Sequence, residues 1–210
     1  MQRQNGLSVR FLRRLLAGVF LLLASLSLVG AGASSSLLRS AVAAEPLTLA
    51  EFAARPDGQL LFMRHALAPG GGDPPDFVLQ NCASQRNLDA AGRAQAAAIG
   101  RVLSAASIQP DSIYSSQWCR CLETARLLGL GPVSQLEGLN SFFQNIVPKE
   151  ETLAKLRATL SQLPEDQLVL MVTHFVTIQA ITGLATRSGE IVAFDRKTGT
   201  ARRLIVGAER

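Results

Sequence analysis

The clearest pattern in the chain is a set of short apolar runs separated by stretches of helical spacing. QLLFMR (59–64) and QLVLMVTH (167–174) are continuous apolar segments of strand length, as expected of strands buried on both faces. DSIYSS (111–116) and PVSQLEG (132–138) predict two further, less apolar strands. Between them, Asp89 through Ser107 is Ala-rich and helical, with Asn87 or Asp89 as cap. WCRCLETARLLG (118–129) predicts a helix ending at Gly129, and Glu150–Leu163 one stopped by Pro164. LTLAEFAAR (47–55) predicts a short helix closed by Pro56-Asp57-Gly58. An apolar helix follows His174 as far as about Gly183, and EIVAFDR and ARRLIVG around KTGT form a closing hairpin. Strands alternating with helices imply an α/β fold with a mostly parallel sheet covered on both faces.

The first 43 residues follow another pattern. Arg3, Arg10, Arg13 and Arg14 precede an uncharged, Leu-rich run that gives way to Gly, Ala and Ser. A basic region, an apolar region and small residues describe a secretory signal peptide. Ala41-Val42-Ala43 is the preferred cleavage site, with Ala31-Gly32-Ala33 upstream as the alternative. An uncleaved N-terminal membrane anchor is the competing expectation, since Leu15–Ala33 is nearly long enough to span a bilayer. Either way the domain at 44–210 is expected outside the cytoplasm, in a periplasm, with any membrane contact made through that anchor.

Charge then loses its interest. The formal net charge of +5 suggests a nucleic-acid binder, but it belongs to the leader. From Ala44 onward there are 16 Lys plus Arg against 16 Asp plus Glu, so no nucleic-acid partner is expected. The three cysteines, Cys82, Cys119 and Cys121, allow one disulfide in an oxidising compartment, pairing Cys82 with Cys119 or Cys121. Cys-x-Cys is not a usual zinc spacing, and no metal or cofactor is expected.

The chain has only two histidines, and each directly follows a predicted strand. His65 ends LFMRH and His174 ends LVLMVTH. Open α/β sheets collect ligands at the carboxyl ends of their strands. Arg64 precedes His65, and Arg120 lies at the start of the helix after YSS. Arginine's planar fork matches phosphoryl oxygens, and an unprotonated imidazole nitrogen is a competent nucleophile. A helix start near Arg120 adds oriented N–H groups. The expected chemistry is attack of His65 on phosphorus, with Arg64, Arg120 and His174 holding the phosphoryl oxygens.

These residues resemble the histidine phosphatase superfamily, also called phosphoglycerate mutase-like. Its Arg-His-Gly marker is matched by Arg64-His65-Ala66, and its Ser-x-x-x-Arg-x-x-x-Thr-Ala marker by Ser116 through Ala125. The strand-ending histidine is His174, and LDAAGRAQAAAIG (88–100) is similar to the family's helix after the first loop. The resemblance covers residues 60–185. It implies a three-layer α/β/α sandwich, a phosphohistidine intermediate on His65, and phosphate held by Arg64, Arg120 and His174. The ending SGEIVAF and the LNSFF segment resemble a bacterial exported subgroup.

The chain departs from the family pattern at three points. Ala66 stands for the glycine, and Phe175 replaces the acidic residue that follows the histidine in the acid phosphatase branch. For the mutases' glutamate the nearby candidate is Glu137, expected as general acid, with Asp73 and Asp76 of the first loop as other candidate donors. Arg86 is a candidate substrate contact whose plainer reading is a surface ion pair. Trp118 and Phe142-Phe143 are candidate pocket residues whose plainer reading is core or rim. Gly70–Gly72 has no Gly-Lys-Ser/Thr after it and reads as a flexible lid over the pocket. The expected function is a phosphatase acting on a small phosphorylated substrate or a phosphoprotein. Its alternatives are a phosphomutase and a phosphate-binding module of the same fold without efficient turnover.

Overall fold

The computed structural model describes residues 45–56 and 58–207, so the leader expected at 1–43 lies outside the described residues. Seven strands form one sheet: β1 (Leu47–Thr48), β2 (Gln59–Arg64), β3 (Ser112–Ser115), β4 (Val133–Gln135), β5 (Val169–Thr173), β6 (Ile191–Asp195) and β7 (Ala201–Ile205). Their order is β1-β7-β6-β2-β5-β3-β4. β2, β5, β3 and β4 run parallel, β1 is parallel to β7, and β6 is antiparallel to both of its neighbours. The mostly parallel sheet read from the pattern is what the chain builds.

Among the described residues five helices cover it: α1 (Leu49–Ala53), α2 (Ala90–Ala105), α3 (Cys119–Leu127), α4 (Lys149–Leu160) and α5 (Phe175–Thr182). Alternation along β2 divides the core. Leu61 and Met63 pack with Phe52 of α1, Leu103 of α2 and Cys121 and Ala125 of α3. Leu60 and Phe62 pack with Leu156 of α4 and Ile178 of α5. A strand points successive side chains to opposite faces, so an all-apolar strand needs a helical layer on each side. β5 is buried at every position for the same reason. The fold is the three-layer α/β/α sandwich.

Parallel pairing sets the level at which the strands end. Arg64 is level with Thr173, and Ser115 with Val172. The N–H of His65 donates to the Thr173 carbonyl and that of Ser116 to the Val172 carbonyl, both at 2.9 Å. The residues just past β2, β3 and β5 therefore leave the sheet side by side. Helix α2 then holds the chain beyond His65. Asp89 caps it by accepting the Gly92 N–H at 2.7 Å. A Cβ on Gly92 would lie 1.9 Å from the Leu67 carbonyl oxygen, so only glycine lets the helix approach the loop this closely.

Most differences from the predicted elements fall at element ends. Residues 47–55 are not helical throughout: Leu47–Thr48 pairs with β7, and Thr48 then caps α1 in a capping box with Glu51. α4 begins one residue earlier than predicted and stops at Leu160. The strand predicted at 132–138 is Val133–Gln135, with a 3₁₀ turn at Glu137–Leu139 after it and another at Phe143–Asn145.

Candidate active site

Arg64, His65, Arg86, Arg120 and His174 line one cavity of about 110 Å³, together with Gly70–Gly72, Ser141, Phe143 and Phe175. The strand ends at β2 and β5 deliver the two histidines, whose ring centroids are 5.6 Å apart with planes at 67°. A larger hollow of about 500 Å³ lies beside Gln59 and Asp195, at the amino end of β2, and no histidine or cysteine lines it.

His65 is buried, and its Nδ1 lies 2.7 Å from the Ala66 carbonyl oxygen. A carbonyl only accepts, so Nδ1 carries the hydrogen and Nε2 keeps its lone pair. Burial first, then the Arg120 charge, pushes the His65 pKa down to about 3, which keeps that lone pair free. For His174 the assignment is reversed. Arg120 Nη2 lies 3.4 Å from His174 Nδ1 and has no acceptor to offer, so Nδ1 accepts. His174 Nε2–H then donates to Ser116 Oγ at 2.9 Å, and the Ser116 hydroxyl donates to Asn140 Oδ1 at 3.2 Å. His174 thus props the Arg120 guanidinium. Burial, and next Arg120, hold its pKa well below the usual range.

Two neutral buried histidines make the fold acid-labile. In the unfolded chain each takes a proton below about pH 6.5, and in the folded chain neither does until far lower. The stability this confers is fully present above about pH 6.5 and is lost as the pH falls toward the folded values. Thermal melts between about pH 7.5 and 4.5 should show Tm dropping, as the unfolding free energy falls by up to ~1.4 kcal/mol per pH unit per histidine. A flat Tm over that window would contradict neutral burial.

The arginines are held by different means. Arg64 donates from Nη1 to the Thr186 carbonyl at 2.7 Å, and its guanidinium lies 5.2 Å from the centroid of the Phe175 ring. The residue that replaces an acidic side chain after His174 thus supports Arg64 instead. Arg86 is not the surface ion pair that its sequence context suggests. It is half-buried, donates from Nε to the Gly72 carbonyl at 2.8 Å and from Nη1 to the Ala68 carbonyl, and faces the cavity. Arg120 is 3% exposed and forks onto Asp73. The Nε atoms of Arg64 and Arg120 are buried with no hydrogen-bond partner among the described residues.

Several expectations are corrected. Glu137 is not in this cavity: it is exposed, bound to Lys155 Nζ at 2.6 Å, and lines a separate depression with Gln117 and Lys155. Glu137→Gln should accordingly leave kcat and KM for an aryl phosphate within about twofold of the parent, as for loss of a surface ion pair. A large fall in kcat would return this carboxyl to the reaction. Asp73 is no proton donor as it stands. Burial works to raise its pKa, but the Arg120 guanidinium prevails and holds the carboxyl below its ordinary value. Asp76 is exposed. Two N–H groups at the start of α3 are engaged within the protein, that of Cys119 on Gln85 Oε1 at 2.9 Å and that of Trp118 on Ser116 Oγ at 3.3 Å.

Of the two open pairings, Cys82 is bonded to Cys119, tying the first loop to the start of α3 beside Arg120. Cys121 is free and buried, and burial pushes its thiol up to about 12, so it stays protonated. Trp118 is core, stacked on Phe77 at 5.1 Å and edge-on to His174 at 5.3 Å. Phe143 is rim, 43% exposed. Sequence reasoning did not foresee the Ser116–Asn140 relay behind His174 or the pairing of Asp73 with Arg120.

Residues 60–143 match the family described as the histidine phosphatase superfamily (branch 1). No curated protein matches the chain. Among solved structures, the Agrobacterium tumefaciens protein assigned as the phosphohistidine phosphatase SixA aligns with 20% identity and a TM-score of 0.50, covering 72% of this chain and 97% of that one. The alpha-ribazole phosphatase from Shigella flexneri aligns with 18% identity and a TM-score of 0.51, covering 72% and 100%. A mutant phosphoserine phosphatase from Entamoeba histolytica, in complex with phosphoserine, gives 18% identity and a TM-score of 0.51, covering 69% and 94%. All three share the fold. The family whose model matches this segment, the histidine phosphatase superfamily (branch 1), is the one that the motifs resemble.

Proposed function

We propose that the chain is a phosphatase that works through a phosphohistidine on His65. The observation that carries this reading is one cavity lined by three guanidinium groups and a buried, neutral imidazole with a free Nε2. His65 Nε2 attacks phosphorus, the N–P bond forms, and the leaving group departs with the electrons of its own bond. The Nδ1–H on the Ala66 carbonyl stabilises the charge that the ring acquires. Arg64, Arg86 and Arg120 neutralise the phosphoryl oxygens, and His174 acts through Arg120. Water then attacks phosphorus, the N–P bond breaks, and phosphate leaves.

Among the described residues no carboxyl group lines the cavity, so the departing group receives its proton from water. That favours substrates whose leaving groups depart without an acid at hand: phosphoramidates, aryl phosphates and anhydrides, carried on a small molecule or a phosphoprotein. The Cys82–Cys119 disulfide supports an exported, periplasmic setting for the domain at 44–210, in keeping with a leader at 1–43. Hydrolysis of an aryl phosphate by the chain should persist in EDTA, because guanidinium groups supply the charge neutralisation. Turnover that EDTA abolishes, or none on any of these three substrate classes, would overturn the proposal.

A further inference from the structure

Arg120 already holds an anion of the protein's own. Its Nη1 and Nη2 donate to the two oxygens of Asp73 at 2.7 and 3.1 Å, and both side chains are 3% exposed. This is the two-pronged geometry with which arginine grips a phosphoryl group. The carboxylate is held further by Trp118 Nε1–H on Oδ2 at 3.0 Å and by the Arg86 N–H on Oδ1 at 3.2 Å. Resting on the phosphate-site reading above, we propose that Asp73 competes with the oxyanion for Arg120 and thereby sets how tightly the pocket holds substrate and product.

The charges around the cavity give the competition a purpose. Arg64, Arg86 and Arg120 bring three positive charges, and the neutral histidines bring none. Asp73 reduces the sum to two, the charge of a phosphate dianion. A pocket with one more uncompensated cation would hold the phosphate it has just released, and product departure sets turnover in many hydrolytic cycles.

The segment that carries Asp73 turns on two glycines. Gly70 (φ 90°) and Gly72 (φ 74°) take left-handed conformations open to glycine, and Asp73 follows directly. Its arm is tied by the Asp73 N–H on Gln144 Oε1 at 2.8 Å, in an exposed position, and by Arg86 Nε–H on the Gly72 carbonyl. The loop's other end is fixed, through Cys82–Cys119 and through Gln85 on the Cys119 N–H. The competition requires the Asp73 arm to shift while Arg120 keeps its place.

The test is titration of inorganic phosphate into the full chain and into its Asp73→Asn variant, followed by calorimetry. Asparagine keeps the shape and an acceptor for Trp118 but removes the charge. Phosphate should bind the variant about tenfold or more tightly, the equivalent of one lost charge competitor. On an aryl phosphate, kcat and KM should fall together as product is retained. A residue that merely positioned Arg120 would do the reverse, so equal or weaker binding overturns the inference while phosphate binding by the parent keeps the site reading intact. If neither protein binds phosphate, both fail. A second readout needs no variant. Trp118 is the chain's single tryptophan, and its indole N–H rests on Asp73. Its emission should change as phosphate saturates the parent protein, and an unchanged emission at saturation overturns the inference.

Discussion

His65→Ala is expected to lower kcat for an aryl phosphate by about a thousandfold or more, the scale on which losing a covalent nucleophile acts. The loss should be this large because no other group near phosphorus can take over. His174 has both ring nitrogens engaged, Nδ1 by Arg120 and Nε2 by Ser116. The Cys121 thiol is protonated and fully buried. Phosphate binding should survive, since the three guanidinium groups remain. Acid-quenched protein incubated with substrate should carry a phosphoryl group on His65 in the parent and none in the variant. The variant should also lose part of the acid-lability, because one of the two imidazoles that resist protonation is gone. Wild-type turnover from His65→Ala would end the phosphohistidine mechanism.

The frame that places His65 was readable because burial on two faces leaves a plain mark on a strand. QLLFMR and LVLMV are apolar throughout, and parallel pairing of two such strands brings the residues that follow them level. The chain's only two histidines occupy those positions. Arg64 came with the first of them, and Arg120 with a helix that starts one turn after a strand end. The loop at 66–86 carries no such mark. It has no periodicity, and its order comes from side chains meeting backbone carbonyls, as with Arg86 on Ala68 and Gly72, which no spacing rule anticipates. Glu137 was misplaced for a related reason. Its direction depends on a single 3₁₀ turn, and α4 brings Lys155 around to bind it away from the histidines. The disulfide was half legible. Cys119 and Cys121 are two apart on a helix and so point to different sides, one to the loop and one to the core. Choosing between them required knowing which side of α3 the sheet covers.

Arg120→Ala should reduce kcat/KM by about 10²–10³-fold, roughly 3–4 kcal/mol, as expected when a charged clamp on the transferring group is removed. It should also lower stability, for a separate reason. Asp73 would keep its charge in a buried place with its counter-ion gone, a situation that typically costs about 3–5 kcal/mol. The stranded carboxylate would in addition repel the incoming phosphoryl group, so binding falls further than the lost clamp alone dictates. Adding Asp73→Asn to Arg120→Ala separates these effects. The double variant should regain much of the lost Tm and part of the phosphate affinity, because the unpaired charge has been removed. It should not regain turnover, because the guanidinium that meets the developing charge is still missing. Measured as a double-mutant cycle, the pair should be strongly non-additive in stability, and the kcat of the double variant should stay near that of Arg120→Ala. Additive stability effects would mean that Asp73 and Arg120 are not coupled in the folded protein, and a recovered kcat would remove Arg120 from the chemical step.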